Sequence, residues 1–168
     1  LALVQTADDI DQALDLCSVL TPEQQRFHCM NGVFMENITA LNLIDHGYRS
    51  ETQKNPTQRL GELEKLCRLY TGRAADACWR EIPHTAVVKF RYNPEKIFAF
   101  CNTAPAPTSG KECSMHTIGI LMTARQYNPD AMKYVKHGES EQEQVNALCQ
   151  KIPQEIQAYC LRVKRSLD

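Results

Sequence analysis

The chain has 168 residues, of which 43% are hydrophobic, and its 19 basic and 20 acidic side chains leave a formal net charge of −1. This length supports one ordinary domain or two small ones around a hydrophobic core, and the composition is too apolar for intrinsic disorder. The near-zero charge argues against a general attraction to nucleic acid, and no apolar run reaches the roughly 20 residues of a membrane-spanning helix.

Four helices are predicted in the first half, each beginning at a capping residue or a proline. The predicted starts are, in chain order, Thr6 with Asp9 three residues later, Thr21 as N-cap with Pro22 at the first helical position, and Asn55-Pro56, and the fourth helix follows the break at Thr71-Gly72 and runs through Cys78 and Trp79. The predicted ends are His46-Gly47 for the second helix, Thr71-Gly72 for the third and the residue before Pro83 for the fourth. Residues 6–18 and 22–46 both carry apolar side chains at helical spacing.

The second half repeats this plan. Its predicted boundaries are a start at Asn93-Pro94, a capping box formed by Ser109 and Glu112, an interruption at Asn128-Pro129, an end at His137-Gly138, and two helices around Pro153. No stretch alternates polar and apolar residues as a half-buried strand would. The predicted class is therefore all-α, with about eight helices arranged as four antiparallel hairpins.

Eight cysteines form four pairs whose members are 11 or 12 residues apart. The pairs are Cys17 and Cys29, Cys67 and Cys78, Cys101 and Cys113, and Cys149 and Cys160. The first and third pairs are offset by 84 residues, half of the chain, and the second and fourth by 82. This register predicts a tandem duplication of a four-helix unit, with residues 1–84 packed on residues 85–168, as in a compact helical array or an α-solenoid.

A turn between the two members of each pair predicts a disulfide within the pair. Pro22 lies between Cys17 and Cys29, and a proline that ends one helix and starts the next places cysteines on facing helices. Each bond would close a loop of about a dozen residues, worth roughly 3 kcal/mol in the chain-entropy model. A nested pairing, Cys29–Cys67 with Cys17–Cys78, remains the alternative, whereas the spacing does not fit a zinc-ribbon motif.

Disulfides persist in oxidising compartments, so the chain is expected to be extracytoplasmic: periplasmic, secreted or at a cell surface. The mitochondrial intermembrane space is the alternative, because twin cysteine hairpins there are paired in the nested way. The expected disulfides within helical hairpins are similar to those of the cysteine-stapled helical repeats of secreted bacterial solenoid proteins, although the spacing of the cysteines differs. Repeats of this kind usually offer a concave surface to a partner, or stack on flanking repeats of a longer chain.

The leading hypothesis for function is accordingly a binding or scaffold module for a protein, a peptide or a glycan. A small basic and aromatic group at the join of the two halves, together with two residues of the second helix, supplies candidate contacts. These candidates are Lys89, Arg91, Tyr92, Phe34 and Glu36. The basic and aromatic group is only four residues even when Lys96 is added to Lys89, Arg91 and Tyr92, which does not make the extended basic face of a nucleic-acid reader, so no nucleic-acid partner is expected.

A carrier of a copper-like metal or of a small apolar ligand is the alternative. Imidazole and thioether side chains suit copper, and they occur near the starts of the two long helices as His28, Met30, Met115 and His116. An apolar pocket would be lined by Phe27, Met30, Phe34, Met115 and Met122. The simpler interpretation is that these methionines fill the core.

An enzyme is the third hypothesis, because no catalytic pattern is present. The chain has no Gly-x-Ser-x-Gly elbow, no phosphate-binding loop and no dinucleotide fingerprint. Glu36 has no second acid at a fixed spacing, as paired-carboxylate catalysis would require. No catalytic residue and no cofactor are therefore predicted.

Overall fold

The computed structural model of the chain describes residues 9–45, 56–124, 128–134, 141–152, 154 and 157. These residues lie in helices and the turns between them, with no strand among them, which confirms the predicted all-α class. The helices are α1 (Ile10–Ser18), α2 (Glu23–Asp45), α3 (Pro56–Cys67), α4 (Gly72–Glu81), α5 (Pro83–Lys89), α6 (Pro94–Cys101), α7 (Pro107–Ala124), α8 (Pro129–Met132) and α9 (Glu141–Cys149).

The first two helices begin slightly later than the sequence predicts. Asp9 is the N-cap of α1 and its carboxylate accepts the backbone N–H of Gln12 at 3.1 Å, whereas the predicted start at Thr6 lies outside the described residues. Pro22 was predicted at the first helical position of α2, which is wrong by one residue. Its carbonyl accepts the N–H of Gln25 at 3.0 Å, so Pro22 occupies the cap position, after a cis Thr21–Pro22 bond.

The next boundaries agree with the prediction in part. α3 begins at Pro56 as predicted, but it ends at Cys67, before the predicted break at Thr71-Gly72. α4 begins at Gly72, whose φ of +55° is a left-handed conformation that glycine adopts at little cost. α4 ends at Glu81, before Pro83, as expected. The predicted helix ends at His46-Gly47 and His137-Gly138 lie outside the described residues. Of the helix predicted after Pro153, residues 154 and 157 are described, and both are helical.

In the second half, the helix start predicted at Asn93-Pro94 is confirmed, and a new helix begins at the interruption predicted at Asn128-Pro129. The Asn93 side chain accepts the N–H of Lys96 at 3.1 Å at the start of α6, and the Asn128 side chain accepts the N–H of Asp130 at 2.9 Å at the start of α8. The capping box predicted at Ser109 is wrong, because α7 already begins at Pro107. Ser109 lies inside that helix and is fully buried, so its hydroxyl contacts another helix and does not cap α7.

Helix α5 is the element that the sequence pattern did not predict. It begins at Pro83, directly after α4, and it spans the proposed boundary between residues 84 and 85. α5 packs against α3 and α7, so it links elements on both sides of that boundary. The duplication into units 1–84 and 85–168 therefore stays a prediction.

The interior has two hydrophobic clusters. The larger is built from residues of α1 to α7, with Trp79 and Phe34 among its fully buried side chains, and the smaller lies between α6, α7 and α9. α4 is central, since it packs against both α2 and α7. No helix in the described part of the chain combines the length and the apolar character that crossing a membrane requires.

Three disulfides join neighbouring helices, and they confirm the predicted pairing within each pair. Cys17–Cys29, Cys67–Cys78 and Cys101–Cys113 each have a Cα–Cα distance of 5.5 Å. The nested alternative is therefore wrong. Cys149 is also disulfide-bonded, and its predicted partner Cys160 lies outside the described residues. These bonds indicate an oxidising, extracytoplasmic environment.

A buried polar contact ties α4 to α7. The Ser109 hydroxyl donates to the Asp76 carboxylate at 2.8 Å, and both residues are almost inaccessible to solvent. Arg73 donates to the same carboxylate at 3.3 Å from its exposed position. Asp76 is thus a buried acceptor that depends on Ser109 for one of its two hydrogen bonds.

Replacing Ser109 with alanine is expected to lower the free energy of unfolding by about 1–3 kcal/mol, because a buried carboxylate oxygen loses its donor. Urea denaturation of the oxidised protein measures the change. Ser114→Ala is the matched control, since that serine is also fully buried on α7 but its hydroxyl has no partner among the described residues. Equal losses in the two variants would contradict this assignment.

Candidate metal centre

Two potential metal ligands come together where α4 passes into α5. Glu81 is the last residue of α4 and His84 is the second of α5, and Ile82 between them keeps right-handed helical angles. The chain therefore continues its helical path, and residues three apart lie on one face. His116 reaches the same place from α7, which packs against both helices.

The three side chains form a compact group. His84 Nε2 lies 3.5 Å from Glu81 Oε2, and His116 Nδ1 lies 3.8 Å from Glu81 Oε1. One ligand atom from each of the three residues falls within 4.8 Å of the others. The imidazole rings stand nearly perpendicular, with centroids 4.9 Å apart.

Burial sets the protonation of this group. The Glu81 side chain is only 2% exposed, and desolvation raises the pKa of its carboxyl from 4.5 to about 7, although a hydrogen bond from the Asn31 amide opposes this. Burial also lowers the pKa of His84 to about 4, with a smaller contribution from His116, and lowers the pKa of His116. Near neutral pH both imidazoles are uncharged, which is the form that binds metals.

The tautomer of His116 is set by its neighbour. Its Nδ1 lies 2.5 Å from the carbonyl oxygen of Arg80. Because a carbonyl can only accept, Nδ1 carries the proton, so the lone pair that could bind a metal is on Nε2 and not on the Nδ1 atom that lies 3.8 Å from Glu81 Oε1. Metal-ligating histidines are typically oriented by such a bond to a backbone carbonyl.

The surrounding charges balance. The Arg80 side chain is paired with Glu112 at 2.8 Å, and Glu112 is mostly buried. The charges of Arg80 and Glu112 offset each other, so the net charge of the site comes from one carboxylate and two neutral imidazoles. A divalent ion bound there would keep a net positive charge of one.

This donor set fits a divalent transition-metal ion. In a tetrahedral zinc site with bond lengths near 2.1 Å, neighbouring ligand atoms are about 3.4 Å apart, close to the separation between Glu81 and His84. Two histidines and one glutamate are a recurring ligand set for zinc, and two histidines with a carboxylate also suit iron. Every described cysteine is in a disulfide, so no thiolate in this part of the chain competes for the ion.

Of the four metal candidates chosen from the sequence, His116 alone belongs to this group. His28 is exposed on α2. Met30 packs against the larger hydrophobic cluster and Met115 against the smaller one, together with the buried Met122. The structure thus places the two methionines in different parts of the interior, where they fill space.

The candidate binding residues occupy different surroundings. Phe34 is fully buried with its ring edge against Tyr70, and Phe27 lies under the guanidinium of Arg73. Glu36 is half-buried on α2. Phe34 and Phe27 are therefore packing residues of the larger cluster.

The other three candidates lie where α5 passes into α6: Lys89 is the last residue of α5, and Arg91 and Tyr92 are in the turn that follows. Arg91 is exposed, Lys89 and Tyr92 are half-buried, and the Lys89 ammonium lies 5.2 Å from the centre of the Phe90 ring. Arg91 and Tyr92 have left-handed φ values of 49° and 59°. The backbone N–H of Tyr92 donates to Val87 at 2.8 Å and holds this conformation.

Sequence reasoning missed Glu81 and His84. The signal was present, because Glu81 and His84 have the Glu-x-x-His spacing that places two ligands on one face of a helix, as in metal sites of helical bundles. Pro83 concealed it, since a proline suggests a break between the two residues. In the structure, Pro83 is the first residue of α5, and Ile82 before it keeps right-handed helical angles, so Glu81 and His84 remain on one face.

Comparison with known proteins supplies no relative that could identify the chain. No protein-family model, no curated protein and no solved structure matches it. Its function therefore has to be inferred from the chemistry of its own residues.

Proposed function

We propose that this chain is a disulfide-stapled helical module of an extracytoplasmic space that binds one divalent transition-metal ion, Zn²⁺ in the first instance. The observation that carries the proposal is the convergence of Glu81, His84 and His116 from two separate parts of the chain on one partly buried site. It refines the carrier hypothesis drawn from the sequence, with a carboxylate and a second imidazole in place of thioethers.

The cost of burying Glu81 supports this proposal. A carboxylate inside a protein is unfavourable unless a charge or several hydrogen bonds compensate it. The side chains in contact with it are two neutral imidazoles and one amide, and the nearby Arg80 guanidinium, which favours the charged carboxylate, is already paired with Glu112. A divalent ion would supply it, and the disulfides would hold the helices that carry the ligands.

Calorimetric titration of the oxidised, EDTA-treated protein with Zn²⁺ at pH 7.5 tests the proposal. We expect one ion per chain, and we expect Glu81→Ala and His116→Ala to weaken binding about 100-fold or more, because each removes a ligand. His28→Ala is the matched control, since it deletes an exposed histidine of α2 outside the group. Unchanged affinity in the Glu81 and His116 variants would refute the site.

A tandem duplication is the accompanying proposal for the architecture. The disulfides Cys17–Cys29 and Cys101–Cys113 have the same sequence separation of 12. The helices that carry the second cysteine of each pair, α2 and α7, begin 84 residues apart. A common ancestor of the two halves explains this register most simply. Among extracytoplasmic locations, periplasm, cell surface and secretion all fit the disulfides.

A second candidate function is recognition of an extracytoplasmic protein, peptide or glycan by the turn between α5 and α6. The specific observation is that two consecutive non-glycine residues, Arg91 and Tyr92, hold left-handed backbone angles there, which cost energy and occur often at functional sites. Val88 beside them is about half exposed. The turn therefore presents an apolar and a basic side chain together.

A peptide array probed with the oxidised protein tests this second function. Arg91→Gly removes the guanidinium and keeps the left-handed turn, so binding through this surface is expected to weaken about tenfold without loss of stability. Lys65→Ala is the control, because it removes an exposed basic side chain from α3 and preserves the helix. Equal binding by Arg91→Gly and the unaltered protein would refute the surface.

A further inference from the structure

The proposed metal centre offers three protein ligands. No fourth carboxylate, imidazole or thiolate joins Glu81, His84 and His116 in the part of the chain that the structure describes. Structural zinc sites are usually closed by four protein ligands, whereas sites with three keep a position for water or substrate. The side chains of His84 and His116 are 41% and 23% exposed, so this position can be reached from solvent on the side of His84.

Asn31 of α2 has a feature that points to the same position. Its amide donates a hydrogen bond to the carboxylate of Glu81, while its Oδ1 is buried without a hydrogen-bond partner among the described residues. A buried acceptor without a donor is costly. The amide group that carries this oxygen contacts Glu81, so a proton-bearing ligand on an ion held by Glu81 could satisfy it.

The following inference rests on the proposed metal site. We propose that the ion keeps an open fourth coordination position, which is filled by exchangeable water, and that Asn31 selects the ligand that replaces this water. The net charge of the loaded centre is positive, since Arg80 is already paired with Glu112, so the preferred ligand is a monoanion. The free Oδ1 of Asn31 favours an anion that retains an N–H or O–H donor. Hydroxamates and α-hydroxycarboxylates belong to this class.

Cobalt substitution tests this inference separately from metal binding itself. The oxidised protein is loaded with Co²⁺, whose visible absorption spectrum reports its ligands, and is titrated at pH 7.5 with azide and with acetohydroxamate. Both anions are expected to change the spectrum saturably, because both displace water. Acetohydroxamate retains an N–H that can reach Asn31, whereas azide carries no donor.

The variant Asn31→Ala separates the role of Asn31 from that of the ion. It is expected to weaken acetohydroxamate roughly five- to tenfold, the value of one hydrogen bond, and to change azide affinity less than twofold. Asn37→Ala is the matched control, because Asn37 is also half-buried on α2 with a buried, unpartnered Oδ1, and it should alter neither affinity.

Three other results would contradict the open position, the role of Asn31 or the metal site itself. Saturable Co²⁺ binding with a spectrum that neither anion changes would overturn the open position and leave the metal site standing. Equal weakening of both anions in Asn31→Ala would overturn the selective role of Asn31. Absence of Co²⁺ binding would overturn the metal site and this inference together.

Discussion

Reduction of the disulfides is expected to unfold the protein at room temperature. The three described bonds close loops between residues 11 or 12 apart, each worth roughly 3 kcal/mol, or about 9 kcal/mol together. A domain of this size is usually stable by only about 5–15 kcal/mol, so their loss removes most of that margin. Circular dichroism with and without a phosphine reductant, with thiols counted by Ellman reaction, measures the effect.

Removal of one bond gives the graded control. The double variant Cys101→Ser, Cys113→Ser is expected to lose about 3 kcal/mol and to remain folded. Both sulfurs are buried in the larger cluster, so replacement of both cysteines by alanine serves as a second version without new buried hydroxyls. A fully reduced protein with an unchanged helical spectrum and an unchanged urea midpoint would contradict the expectation.

Replacing Glu81 with glutamine is expected to stabilise the metal-free protein at pH 8 by about 3 kcal/mol. The folded-state pKa of Glu81 is raised from 4.5 to about 7, so the folded state holds a proton that the unfolded state has released between these pH values. Stability from this group is complete below pH 4.5 and falls as pH rises through 7, at roughly 1.4 kcal/mol per pH unit. Glutamine does not ionise and avoids this loss.

Urea denaturation in EDTA across pH 5 to 8 measures this difference, which should shrink to about 1 kcal/mol or less at pH 5. His84 and His116 act in the opposite sense, because their lowered pKa values cost stability as pH falls below about 6.5, and this loss is common to both proteins. Glu95→Gln, at an exposed carboxylate, is the control. A pH-independent difference between Glu81→Gln and the unaltered protein would contradict the assignment.

Saturating Zn²⁺ should reverse the order of stability at pH 8. A ligand at 1,000 times its dissociation constant stabilises the folded state by about 4.1 kcal/mol, which exceeds the advantage of about 3 kcal/mol expected for Glu81→Gln, and this variant lacks the carboxylate that the ion needs. The buried carboxylate would then be a stability cost retained for binding. Such trade-offs between stability and function are common at binding sites.

The features that the sequence predicted are local ones. The pairing of Cys17 with Cys29 and of Cys67 with Cys78 followed from turns within a dozen residues, and the caps at Asn93 and Asn128 depend on hydrogen bonds spanning two or three residues. Short separations make few alternatives possible. The Ser109 capping box failed for the same local reason, because Pro107 offered an earlier helix start.

The features that the sequence could not predict join distant parts of the chain. The Ser109 hydroxyl meets Asp76 across 33 residues, and the Arg68 guanidinium donates to the Thr103 carbonyl across 35. The metal centre depends on a contact of the same kind, between Glu81 and His116. Such contacts depend on how α4 packs against α7, which helical periodicity does not specify.

By itself, then, the sequence determined most of the described helices, favoured the pairing of six cysteines and indicated the oxidising environment, because capping, proline geometry and short loops act over a few residues. Tertiary structure alone decided that the backbone keeps helical angles at Ile82, so that Glu81 and His84 lie on one face, and that this face meets His116 of α7. Packing between helices brought His84 and His116 beside a buried carboxylate, and it buried that carboxylate deeply enough to raise its pKa.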